Sequence, residues 1–121
     1  MILYHATPRR VVGLILRRGL MPPTRRRKVS VSEQDFPESL GKVFLSADPD
    51  SAEWWARHAS EALGGKYAIL KVMLPAGFPL YLDPNSPLNF GPDNELIQKV
   101  DYYTTQAIPP KYIHYVGEVE Y

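Results

Sequence analysis

Residues 42–74 read KVFLSADPDSAEWWARHASEALGGKYAILKVML, and this stretch decides the fold class. Its first six residues predict a buried strand, and its last eight predict another. Between them, Asp48 and Pro49 predict a helix start, because aspartate caps free backbone N–H groups and proline suits the first helical position. The Gly64–Gly65 pair predicts the end of that helix. The stretch is therefore a strand, a helix and a strand.

The flanking sequence adds one helix before this unit and several strands after it. A short opening strand is predicted at residues 1–5. Thr7 is predicted to cap a helix that opens at Pro8 and stops at Gly19. Further strands are predicted at residues 80–82, within 95–105, and at 113–121. With two main helices in the first half and strands dominating the second, the order predicts an α+β domain with antiparallel pairing.

Composition bounds the domain count and the kinds of site. A chain of 121 residues suits one domain, 1–121. It has no cysteine, which excludes disulfides and cysteine-ligated metals, and its histidines (His5, His58 and His114) lack metal-ligand spacing, so no metal site is expected. No apolar run approaches the ~20 residues of a membrane helix. The apolar start is interrupted at once by His5 and the Arg9–Arg10 pair, which argues against a signal peptide, so the expected location is cytoplasmic.

Positive charge is concentrated near the start of the chain. Eight of the fourteen basic residues fall within residues 9–28, and no acidic residue precedes Glu33, although the net charge is only +1. Such a block suits the phosphates of a dinucleotide or a nucleic acid, and equally a solvated surface. Residues 24–42 are polar and aperiodic, which predicts a long loop.

Three short blocks, in order along the chain, carry a resemblance to a known family. They are LYHAT at residues 3–7, GKVFLS at 41–46 and YYTTQAIPPKYI at 102–113. Together they resemble the ADP-ribosyltransferase superfamily, and the third block is also similar to the RNA 2′-phosphotransferase branch. The resemblance implies a split antiparallel sheet that binds NAD+ in a bent shape. It further implies transfer of ADP-ribose to a protein or nucleic-acid acceptor with release of nicotinamide.

The same resemblance implies roles for individual residues. His5 would bind a ribose, the backbone of Ala6 would meet the nicotinamide amide, and Phe44 would stack on the nicotinamide ring. Three more residues would complete the cofactor site alongside Ser46 on its floor: Thr7, Trp55 and Arg25. Phe44 departs from the family pattern, because other members have tyrosine or histidine there.

A catalytic carboxylate is expected, because breaking the nicotinamide–ribose bond develops positive charge that a nearby acid stabilises. In the family pattern, most active members have a glutamate on the strand before the exit that Ile108, Pro109 and Pro110 match in the third block. The candidates here are Asp101 and Glu95, together with His5 as the first-strand residue, and neither acid fits the pattern fully. Three hypotheses follow: an ADP-ribosyltransferase, an enzyme similar to RNA 2′-phosphotransferases, or an inactive module that binds NAD+ or nucleic acid or blocks a partner protein.

Overall fold

A computed structural model describes residues 1–23 and 41–119 and has an α+β architecture. Six antiparallel strands form one sheet, and the described part of the chain contains two α-helices. The strands are β1 (Ile2–Pro8), β2 (Val43–Ser46), β3 (Tyr67–Met73), β4 (Tyr81–Leu82), β5 (Asp101–Thr104) and β6 (Ile113–Glu118). The α-helices are α1 (Val12–Arg18) and α2 (Pro49–Leu63), and short 3-10 turns cover Arg9–Val11 and Pro110–Tyr112.

The strand order across the sheet is β4-β5-β2-β1-β3-β6. The ladder between β1 and β3 joins seven residue pairs, from Ile2 with Met73 to Pro8 with Tyr67. The ladder between β2 and β5 joins four pairs. Between β1 and β2, in contrast, a single pair is formed, Tyr4 with Ser46. The middle of the sheet is therefore its least paired point.

The two faces of the sheet bury different clusters, because side chains alternate between faces along each strand. On one face, Leu3, Leu70 and Val72 belong to a cluster that includes Val12 and Ile15 from the first helical segment. On the other face, α2 packs on β1 and β3 through a second cluster of small and aromatic residues: Ala52, Ala56, Tyr67 and Ile69. The helices thus cover opposite faces.

The predicted helix ends agree with the structure in three places. Asp48 Oδ1 accepts a hydrogen bond of 2.8 Å from Ser51 N, so this aspartate caps α2, with Pro49 in its first turn. Gly64 ends α2, and Gly19 ends α1 with a φ of +87°. Glycine suits that position because L side chains are strained in the left-handed region.

The predicted cap at Thr7 is wrong. β1 continues to Pro8, Thr7 and Pro8 pair with Ala68 and Tyr67, and Arg9 N donates to Lys66 O at 2.9 Å. The first helical turn starts one residue later and has no side-chain cap. Pairing with β3 satisfies these backbone groups in the sheet, so a local cap is not needed there.

The strand expected within residues 95–105 is shorter than its pattern indicates. Only Asp101–Thr104 form β5, while Leu96 makes an isolated bridge with Phe90. Residues 24–40, and with them Arg25 and most of the predicted loop, lie outside the described residues. No helix in the two described ranges is long and apolar enough to cross a membrane.

Candidate functional site

The central feature of the sheet is the short ladder between β1 and β2, and we call the place beyond its single pair, where Ala6 and Phe44 form no pair, the opening. Arg9 N bonds Lys66 O and Leu74 N bonds Met1 O, so the odd-numbered residues of β1 direct their peptide groups towards β3. Peptide groups alternate between the two neighbours of a strand, and those of Tyr4 and Ala6 therefore point towards β2. Tyr4 meets Ser46, but the next pair in that register, Ala6 with Phe44, is missing. The N–H and C=O of Ala6 consequently face the opening.

His5 closes one side of this opening. Its imidazole Nδ1 lies 2.7 Å from the carbonyl oxygen of Phe44. A carbonyl only accepts, so Nδ1 carries the proton and, in the neutral ring, Nε2 is left as an acceptor. Burial lowers the pKa of His5 below its ordinary value of 6.5, against the opposing effect of the Phe44 carbonyl. The ring is thus held neutral, and its Nε2 has no partner among the described side chains.

The imidazole and the Phe44 ring approach the opening from different faces of the sheet. His5 lies opposite Leu70 and belongs to the α1 face, whereas Phe44 pairs with Tyr103 and shares the α2 face with Ser46. The two residues still meet at the opening, through the hydrogen bond from the imidazole to the Phe44 carbonyl.

Asp101 anchors a buried polar cluster beside the opening. Its side chain is 2% exposed, and both carboxylate oxygens accept hydrogen bonds. Ser46 Oγ donates to Oδ1 at 2.7 Å, while Trp55 Nε1 and Ser86 Oγ donate to Oδ2 at 2.8 and 2.5 Å. The cluster therefore joins three residues singled out from sequence, on β2, α2 and β5, and fixes the Ser46 hydroxyl at the β2 end of the opening.

Two buried residues of this region carry no signal in the sequence, Ser86 and Asn89. Asn89 is 0% exposed, and its side chain makes four hydrogen bonds to backbone. Its Nδ2 donates to Asp83 O and Asp101 O, and its Oδ1 accepts from Val100 N and Asp101 N. Both residues fall in the turn-rich segment PNSPLNFGP, where asparagine and serine are ordinary turn formers. Only the tertiary structure reveals their burial.

The remaining candidates are separated from the opening to different degrees. The side chain of Ala6 packs in the α2 cluster, and Thr7 is buried within β1. Glu95 is exposed in the segment between β4 and β5, where its Oε2 accepts from Asp93 N at 2.9 Å. Of the two candidate acids, Asp101 is therefore the one joined to the opening, through Ser46.

No family model matches the chain, and no curated protein matches it. Within residues 1–23 and 41–119 no group of three or more histidine, aspartate or glutamate side chains is placed to hold a metal ion.

Proposed function

We propose that the chain binds NAD+ in the opening between β1 and β2 and transfers its ADP-ribose to an acceptor, releasing nicotinamide. The observation that carries this is the missing pair of Ala6 with Phe44. A strand edge that offers one N–H and one C=O matches a primary carboxamide, which has one acceptor oxygen and an NH2 donor. The nicotinamide amide would occupy the place that a β2 residue takes in a closed ladder.

The two sides of the opening supply the rest of the cofactor contacts. The neutral His5 ring presents Nε2, which accepts a hydrogen bond from a ribose hydroxyl. The Phe44 ring offers an apolar face on which the nicotinamide ring stacks. These are the roles that the resemblance to ADP-ribosyltransferases implies for both residues. A single NAD+ bound in the opening would contact both of them.

Asp101 is the acid that fits the reaction better. Its carboxylate is bonded to neutral donors, and the described residues give it no cationic partner. A buried negative charge of this kind stabilises the positive charge that develops at the ribose as nicotinamide leaves. Asp101 then acts from a distance, and the Ser46 hydroxyl is the group of this cluster nearest to the opening. Asp101 is therefore a positioning residue in the proposed reaction.

Substitution of His5 tests the proposal while preserving the sheet. His5→Asn keeps an N–H donor near the position of Nδ1 and removes Nε2. We expect the variant to melt near the wild type and to lose NAD+ binding in a calorimetric titration. It should also lose transfer of label from labelled NAD+ to acceptors in a cell lysate. His114→Asn, at an exposed site on β6, is the matched control and should behave as the wild type. Undiminished binding and transfer by His5→Asn would rule the proposal out.

A second candidate is an NAD+-binding module that transfers nothing. It is favoured by Asp101, because a carboxylate that is 2% exposed and already accepts three hydrogen bonds from the protein is shielded from a substrate. The two candidates differ in nicotinamide release. NAD+ binding is measured by calorimetry, and nicotinamide formed in the presence of lysate is measured by chromatography. Binding without nicotinamide formation selects the module. Nicotinamide formation that Asp101→Asn reduces selects the transferase.

A further inference from the structure

A row of three aromatic rings runs across the sheet, from the opening to the β4 edge of the sheet. Phe44 on β2 lies opposite Tyr103 on β5, and Tyr103 lies opposite Tyr81 on β4. The ring centroids are 6.4 Å apart in the first pair and 5.4 Å apart in the second. Tyr81 is 48% exposed, and the other two rings are half-buried. Three neighbouring strands thus place rings side by side on one face.

The segments that carry this aromatic row also carry two lysines. Lys42 Nζ lies 4.7 Å from the centroid of the Tyr103 ring, and Lys99 is exposed two residues before β5. In residues 41–46, 78–83 and 99–106 the only acids are Asp83 and Asp101, which are 7% and 2% exposed. The segments that form the row therefore carry two lysines and no exposed acid.

We propose that the aromatic row binds single-stranded nucleic acid, which is the acceptor of the proposed transferase. Rings on one face of an antiparallel sheet stack successive unpaired bases, and adjacent cations hold the phosphates. The row ends at Phe44, beside the opening, so a strand stacked on Tyr81 and Tyr103 leads towards the nicotinamide that Phe44 holds in the proposed function, and so towards the bond that breaks. The acceptor role rests on the proposed function, whereas the binding surface can be measured without NAD+.

The transfer step on such an acceptor balances without a further reactant. A nitrogen or oxygen of the nucleotide bonds to C1 of the nicotinamide ribose, and the bond from that carbon to the nicotinamide nitrogen breaks. The electron pair of the broken bond goes to the ring nitrogen, so nicotinamide leaves as a neutral molecule. The attacking atom loses its proton to water.

Binding is tested by fluorescence anisotropy with a labelled single strand of mixed sequence, as DNA and as RNA. Tyr81→Leu keeps apolar bulk and removes the ring, and we expect it to weaken binding about fivefold or more. Tyr115→Leu is the matched control, because Tyr115 is 49% exposed on β6 at the opposite edge of the sheet. Lys42→Gln should reduce the slope of log affinity against log salt by about 0.7.

Each outcome decides the proposal. The proposal is supported if the protein binds a single strand more tightly than its duplex, and if Tyr81→Leu loses this binding while Tyr115→Leu keeps it. Comparing the DNA and RNA strands shows whether deoxyribose or ribose is preferred. The proposal is overturned if the two tyrosine variants have equal effects, or if the duplex binds as tightly as the single strand. It is also overturned if label from NAD+ is transferred to proteins alone. Strand binding without calorimetric NAD+ binding refutes the proposed function instead, and NAD+ binding without strand binding refutes only the nucleic-acid acceptor.

Discussion

Replacing Asp101 by asparagine probes the buried cluster that holds β2, α2 and β5 together. The carboxylate accepts three hydrogen bonds, from Ser46, Trp55 and Ser86. Asparagine has one acceptor oxygen and one donor nitrogen, and the indole N–H cannot reverse its role. The amide oxygen must therefore turn to Trp55, and its nitrogen then faces Ser46, whose hydroxyl has to change from donor to acceptor and leaves its own hydrogen without the charged partner.

The size of this effect follows from the bonds that change. Losing one hydrogen bond to a charged group costs about 1.5–3 kcal/mol, and the two that remain lose the assistance of the charge. Burying an amide costs less than burying a carboxylate, which offsets part of this loss. We expect Asp101→Asn to lower the free energy of unfolding by about 2 kcal/mol, which corresponds to a fall in Tm of roughly 8 °C.

Urea unfolding followed by circular dichroism measures this change. Asp93→Asn is the control, because Asp93 is an exposed acid and its substitution should change stability by less than about 0.5 kcal/mol. If Asp101→Asn and Asp93→Asn unfold at the same urea concentration as the wild type, the Asp101 carboxylate does not hold the cluster together.

Three further predictions concern other parts of the fold. The lowered pKa of His5 means that the unfolded chain binds this proton more readily, so stability should fall as the pH drops below about 6.5; His5→Asn should remove this part of the pH dependence in urea titrations. Asn89→Asp puts a carboxylate oxygen where Nδ2 donates to two carbonyls, and should cost at least about 2 kcal/mol by chemical unfolding; wild-type stability would show that the four bonds are unimportant. Gly19→Ala places a methyl group against Ile108 O at a left-handed φ and should lower Tm, whereas Gly13→Ala, in open space on α1, should raise it slightly; the reverse ranking would contradict the backbone argument.

The main elements of the fold could be predicted because their signals are local. Residues 42–74 contain an apolar run, an Asp–Pro cap and a Gly–Gly end, and each of these acts within a few residues. Thr7 and Pro8 carry an equally good local signal for a helix start. There the prediction failed, because pairing with Ala68 and Tyr67 extends the strand over both residues. The sequence reveals the strand that holds Ala68 and Tyr67 but not its pairing with β1, and this pairing outweighs the local cap signal.

The candidate site was predictable in part. Its residues were singled out by a resemblance, and the structure brings Ser46, Trp55 and Asp101 into one hydrogen-bonded cluster. The opening itself has no sequence signal, because β1 and β2 both have the composition of ordinary strands. Asn89 likewise has no sequence signal, because an asparagine in a turn has the same local pattern whether its amide is solvated or buried.

The Ala6 amide provides the most direct test of the opening as a nicotinamide site. In a two-dimensional 1H–15N spectrum of the wild type, titration with NAD+ should shift the Ala6 resonance with saturation, together with that of Phe44. Nicotinamide alone should shift Ala6 in the same direction, and His5→Asn should reduce the shift that NAD+ produces. An Ala6 resonance that stays in place at saturating NAD+, while amides elsewhere in the chain move, would contradict the account.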